Sequence, residues 1–369
     1  MVDEYNKMFF INDYCYEGIS MRLLYCAFAF FFYTCISPAP EYMYPVASLD
    51  NGKTILYIHQ HSSTNIELLS YNTQTHQTES MLWSVFNPAG LQMLPDNGGF
   101  SFIDNGRLRI KSFNKRSAKA IDFDEPLFGI NSLHWIDTHT CYCSAQYNNN
   151  FALFELYDDG TLQCLCAQEG KDCMYPQKIG DQLFYIERST TKKGPSRFNY
   201  RIISQSYQNN NSNHPETNLI ADFGNTPIIF LTMLSDTEGF VIEHAQQINS
   251  ENPTTSFVYH HIIKAGDIWS KNILFSFSVP TNLLLDNEER LYESILPLLP
   301  RIINQKVYFV DCANNSDYIL EPYFCSPVTK TTQKIDLNQH KGHFFVPMLC
   351  DKIIYCGGIK QPSLFSMLT

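Results

Sequence analysis

The chain lacks the short signatures that identify the common enzyme classes. It holds no Gly-x-Ser-x-Gly nucleophile elbow, no Gly-x-x-x-x-Gly-Lys-Ser/Thr phosphate loop and no Gly-x-Gly-x-x-Gly dinucleotide fingerprint. Charge is scarce as well: Asp, Glu, Lys and Arg make up 17% of residues, with a formal balance of -11. An acidic surface repels phosphate backbones, so nucleic acid is not an expected partner. Long amphipathic helices are missing; the best candidate, Asn287–Leu296 (NEERLYESIL), reads as a short helix inside a connection. No cofactor is predicted.

What the chain does carry is apolar and aromatic weight: 44% hydrophobic residues, among them 27 Phe and 22 Tyr. Aromatic side chains suit pleated, half-buried surfaces, which points to sheet. The organising stretch is Tyr44–Ile58, YPVASLDNGKTILYI, a strand, a tight Asp50-Asn51-Gly52 turn and a strand running back. The returning strand recurs seven times: Ile55–His59, Gly99–Asp104, Thr140–Ala145, Gln182–Glu187, Gly239–His244, Lys306–Asp311 and Lys352–Gly357. Six of these are followed by two further strands, for example NIELLSYN then QTESMLW. The period is roughly 40 to 60 residues, near that of propeller repeats.

Four short antiparallel strands per unit cannot cover their own faces, whereas a closed ring of such units covers them all and hides the sheet edges. The expected fold is therefore an all-β β-propeller over residues 40–369, with seven blades, six or eight being the margin. Ring closure is expected through pairing of the terminal strands, with Glu41–Tyr44 as the borrowed piece.

SLDNGKTILYI (Ser48–Ile58) resembles the Ser-x-Asp-(x)-Gly-Lys-x-Ile pattern of TolB-type, WD40-like propeller repeats, with one extra residue in the turn; MLPDNGGFSFI and MLSDTEGFVI are looser copies. The resemblance implies an exported or periplasmic propeller that binds proteins, often within a larger assembly. Ser48-x-Asp50-x-Gly52-x-Thr54 is also similar to the Asp-box turn of sialidase-like propellers, but Ile55 replaces the usual aromatic. A sialidase would need arginines clustered on inner strands, and Arg107, Arg109, Arg116, Arg188, Arg197, Arg201, Arg290 and Arg301 fall mostly in outer strands and loops.

Residues 1–39 read as an extension. Leu23–Ile36, LLYCAFAFFFYTCI, is uncharged and follows Met21-Arg22. At fourteen residues it is short for a bilayer span, which takes about 20, and right for a secretory apolar region. The acidic residues before it suit no leader, so Met21 is the expected true start. Cys35 is a candidate for lipid modification, the one membrane attachment the sequence suggests.

Of the twelve cysteines, nine lie beyond residue 40, an odd number that leaves one unpaired even if the others bridge. Cys141-x-Cys143 and Cys164-x-Cys166 fall on strands of one blade. They are read as small packing residues, with a disulfide or a thiolate zinc site as the functional alternatives. His59-x-His61 and His260-His261 lack a third ligand at convincing spacing, and no metal is assigned. Asn148–Asn150 and Gln208–Asn213 read as long polar loops. One basic cluster stands out, RSTTKKGPSR, in which Arg188, Lys192, Lys193 and Arg197 are the candidate contact for an acidic partner.

The functional expectation is an exported, non-enzymatic propeller, periplasmic, envelope-associated or secreted. It would bind a protein or a surface polymer through one loop face. The alternative is a glycan-active hydrolase or lyase using the central channel. Fusing Met21–Tyr42 to an export reporter is expected to carry the reporter across the membrane; cytoplasmic retention counts against the leader.

Overall fold

The computed structural model describes residues 41–360 apart from 50–52, 63–64, 85, 105–106, 116, 124–126, 191–197, 207–215, 246–253, 281–298, 304, 313–319, 336–347, 351–352 and 356–357. Everything described lies in one compact unit, Pro40–Gln361. The leader region, Cys35 and the helix expected at Asn287–Leu296 lie outside the described residues.

Sheet formation repeats with little variation. The first sheet contains β1 (Glu41–Leu49), β2 (Thr54–Ser62), β3 (Asn65–Asn72) and β4 (Thr78–Ser84). The second is β5 (Phe86–Met93), β6 (Gly99–Asp104), β7 (Arg107–Ser112) and β8 (Lys119–Ala120). The third is β9 (Phe128–Trp135), β10 (Thr140–Tyr147), β11 (Asn150–Tyr157) and β12 (Leu162–Cys166). The fourth is β13 (Lys171–Ile179), β14 (Gln182–Thr190), β15 (Phe198–Ser206) and β16 (Thr217–Gly224). The fifth is β17 (Ile228–Met233), β18 (Glu238–Ala245), β19 (Thr254–Ala265) and β20 (Ile268–Pro280). The sixth is β21 (Arg301–Ile303), β22 (Lys306–Cys312), β23 (Leu320–Ser326) and β24 (Thr331–Lys334). All six are antiparallel meanders, each strand paired with its sequence neighbour, and together they form a β-propeller with six blades.

The seventh repeat behaves differently. Its first two strands, β25 (Met348–Cys350) and β26 (Ile353–Tyr355), form a two-stranded sheet of their own. The next strand, β27 (Gly358–Lys360), adds to the first sheet instead, pairing Glu41 with Lys360 and Met43 with Gly358. Pairing between the two ends of the unit thus occurs at the segment expected from sequence, but it widens the first blade rather than completing a seventh.

Burial explains why the second strand of each unit was the most legible. β6 is buried along nearly its whole length, and so are the middle stretches of β10, β14 and β18. A strand covered on both faces carries a continuous apolar run rather than alternation. Two of the fourth strands are wet: β12 has two exposed positions of five and β24 is exposed throughout, whereas β20 buries Phe275, Phe277 and Val279.

The turns between first and second strands repeat too. Asp96 Oδ1 accepts from Gly98 N at 2.8 Å, Asp137 Oδ1 from Thr140 N at 2.8 Å, and Ser235 Oγ from Thr237 N at 3.2 Å. These short side chains supply the local acceptor that closes a turn, which is why Asp and Ser recur there.

Adjacent blades are joined by packing and by side chains that bond to neighbouring backbone. Gln177 on β13 donates to Leu231 O at 2.7 Å and accepts from Met233 N at 2.7 Å, tying the fourth blade to the fifth. Trp135 Nε1 donates to Ser101 Oγ at 2.8 Å across the second and third. Between the fifth and sixth runs a stack of rings: Phe240, Tyr259, Phe275, Phe309 and Tyr323, with successive centroids 5.4, 4.9, 3.9 and 5.6 Å apart. The Phe275–Phe309 step crosses from one blade to the next. Phe309→Ala is expected to cost about 4 kcal/mol through the cavity it leaves and the contacts it removes. Urea unfolding measures this, and a loss below about 1 kcal/mol would show that the seam does not depend on the stack.

Candidate functional site

Antiparallel strands reverse direction at each turn. The connection from second to third strand therefore emerges at the same end of a blade as the connection leading to the next blade. At the third and fourth blades this places three segments together on one face: the β10–β11 turn, the β12–β13 connection and the β14–β15 loop. The last of these is the basic cluster.

The β10–β11 connection is a two-residue turn, not a long loop. Asn148 and Asn149 take φ of 48° and 69°, and Asn150 already belongs to β11. Asparagine tolerates this left-handed backbone, and two such residues in succession make the tight hairpin turn that matches strand twist. Gln208–Asn213, the other polar run, lies outside the described residues.

Beneath this turn is a cleft of about 360 Å³ lined by Tyr147, Asn148, Asn150, Phe151, Gln168 and Glu169, with Ala152 and Ala167 completing the wall. Tyr147 is 39% exposed and its ring meets buried Phe154 edge-on at 5.8 Å, so an aromatic face is held open to solvent. Amide groups from three residues and one carboxylate surround it. Such a lining can bind through flat apolar contact and directed hydrogen bonds. Sequence reasoning missed the cleft because its residues come from two connections nearly twenty positions apart.

Asp172 on β13 holds this region together. Its Oδ1 accepts from Phe151 N at 2.8 Å, fixing the start of β11, and its Oδ2 accepts from Arg188 Nε at 2.8 Å. The Arg188 guanidinium lies 4.5 Å from the centre of the Phe198 ring at the far side of the basic loop. The Arg188 side chain is 19% exposed, so its charge is committed to Asp172 and braces the root of the loop. Next to it Lys171 Nζ donates to the buried Glu187 carboxylate at 2.9 Å. Lys192, Lys193 and Arg197 lie outside the described residues.

The other sequence candidates separate in space. Cys141 and Cys143 on β10 are divided from Cys164 and Cys166 by β11: Cys143 pairs with Phe154, which pairs with Cys164. With a whole strand between them the two pairs form no common thiolate site, and the closer approach of Cys166 is to Cys173 in the next blade. His260 and His261 each bond a different carboxylate, Glu243 at 2.5 Å and Glu238 at 2.9 Å. Among the described residues no group of three or more His, Cys, Asp or Glu is placed to hold a metal. Arg109 and Arg201 lie on third strands, paired with Asp104 at 2.7 Å and Asp222 at 3.1 Å, apart from each other in different blades.

No family model matches the chain, and no curated protein matches it. Among solved structures it is similar to a puromycin-hydrolysing peptidase of Mycobacterium tuberculosis, at 9% identity and a TM-score of 0.56, covering 82% of this chain and 46% of that one. It is similar also to the tricorn protease, at 9% identity and a TM-score of 0.50, covering 79% and 30%. TolB of Acinetobacter baumannii matches at 13% identity and a TM-score of 0.45, covering 80% and 63%. The chain spans less than half the length of either peptidase. Identities this low are a likeness of fold alone, and the fold is a β-propeller.

Replacing Asp172 by Ala removes a strand-end acceptor and unpairs a mostly buried guanidinium. The expected loss is about 3 kcal/mol in urea unfolding, with Asp172→Asn, which keeps an acceptor for Phe151 N, losing less. Equal stability of wild type and Asp172→Ala would remove this residue from the account.

Proposed function

We propose that the protein is an exported, non-enzymatic β-propeller that binds a protein or surface-polymer ligand across the face formed by the β10–β11, β12–β13 and β14–β15 connections. The observation that carries this reading is the cleft under Asn148-Asn149, where a solvent-facing tyrosine is ringed by amides. The basic stretch RSTTKKGPSR, through Lys192, Lys193 and Arg197, supplies attraction for an acidic ligand, with Arg188 bracing its start. Export rests on Leu23–Ile36, and attachment to the envelope, where it occurs, on Cys35.

The ring is read as having seven positions. β25 packs against β21 of the sixth blade and β1 of the first, the place a seventh inner strand would take. The cleft itself is not read as a glycoside hydrolase site, since it contains a single carboxylate, Glu169, where that chemistry ordinarily needs two.

Poly-glutamate serves as an acidic probe. Replacing Lys192 and Lys193 by Glu is expected to weaken its binding about tenfold, measured by interferometry, at unchanged melting temperature. Tyr147→Ala is expected to weaken it by a similar factor through the lost aromatic face. Unaltered affinity in the first variant removes the loop from the site, and in the second removes the cleft.

A further inference from the structure

Cys166, the last residue of β12, and Cys173, near the start of β13, face each other across the seam between the third and fourth blades. Their sulfurs are 3.6 Å apart, and both side chains are buried, at 8% and 0% exposure. They pack with Leu153, Leu183, Tyr185 and Ile203 in a small cluster of their own. Gln168 Nε2 donates to Cys166 Sγ at 3.6 Å, and Tyr185 Oη lies 3.9 Å from the same sulfur. Gln168 also lines the cleft, so Cys166 sits directly behind the cleft wall. Two polar groups converge on one thiol and a second thiol is in contact with it. Simple apolar packing needs neither.

We propose that Cys166 and Cys173 form a thiol–disulfide couple, a site of covalent closure between two blades that reacts with a small-molecule or protein disulfide as oxidant. Cys166 thiolate attacks one sulfur of the oxidant; the oxidant's S–S bond breaks and one thiol leaves, carrying the proton that Cys166 lost. Cys173 then attacks Cys166 Sγ and expels the second thiol, which takes the Cys173 proton. Two protein thiols are oxidised, and one external disulfide is reduced to two thiols.

The roles are unequal. The hydrogen bond from Cys173 holds Cys166 down to about 7 against the opposing effect of burial, aided by Tyr185 and Gln168. That same hydrogen bond, together with burial, pushes Cys173 up. Cys166 is also the less buried of the two, at 8% against 0% exposure, and is bonded by Gln168 from the cleft wall. It is therefore the attacking thiol and Cys173 the resolving one. Cys141 and Cys143, buried without such partners, are pushed up by desolvation and stay inert. This inference does not rest on the ligand-binding reading.

The test uses the full chain carrying Cys164→Ser, which removes the exposed thiol two positions away, equilibrated with excess oxidised glutathione. Trypsin cleaves after Lys171 and separates the two cysteines, so the bridge appears in mass spectrometry as a linked pair of peptides that reduction releases. The linked pair is expected from folded protein, with a rise in melting temperature on the order of 5 °C over the reduced form. In a Cys164→Ser, Cys173→Ser variant, glutathione is expected to remain attached to Cys166. Recovery of Cys166 and Cys173 as free thiols from folded, oxidant-treated protein overturns the proposal. The same measurement on the wild-type chain, with the linked sulfur assigned by fragmentation, serves if the variant fails to fold.

Discussion

The constraint on which everything depends is that a blade has no dry side of its own. Its second strand is apolar on both faces, so each face must be covered by the blade before or after it. Burying a side chain such as Phe184 or Phe240 stabilises by about 2–3 kcal/mol relative to exposure. That gain is available only when the neighbouring blade is present. Stability is consequently a property of the seams, and the seams differ. The fifth and sixth blades meet through stacked rings, the fourth and fifth through the two bonds made by Gln177, and the third and fourth through Asp172 and a pair of thiols.

The proposed binding face lies on the third and fourth blades, and the cleft opens there. At the third–fourth seam the Asp172 carboxylate accepts from Phe151 N and the Cys166 and Cys173 sulfurs meet. At the fifth–sixth seam the rings are joined by the Asp311 carboxylate, which accepts from Ser278 N at 2.7 Å.

Much of the architecture was legible because one strand per unit is covered twice. Six returning strands, from Ile55–His59 to Lys306–Asp311, fall on second strands of blades, Ile353–Tyr355 of the seventh is the second strand of its own small sheet, and the recurring Asp or Ser turn marks where the first ends. The pairing of β27 with β1 was not legible as it stands, since three residues at a sheet edge carry too little pattern to show which neighbour they choose. The site was largely hidden. Asn148-Asn149 looks like a polar loop when read as composition and is a hairpin turn when read as backbone, and only the turn brings Tyr147 and Phe151 to the same wall. Arg188 was visible as a charge, but its commitment to Asp172 depends on strand register, which sequence does not display. Cys173 drew no notice because its partner sits in the preceding blade.

Asp172 has a consequence for how the face responds to what it touches. One oxygen holds the start of β11, just past the Asn148-Asn149 turn, and the other holds the arginine from which the basic loop departs. The carboxylate is rigid and planar, so a displacement at one oxygen is delivered to the other. Two segments that differ in sequence and belong to different blades are geared together through a single side chain, and a molecule gripping one of them is mechanically in touch with both.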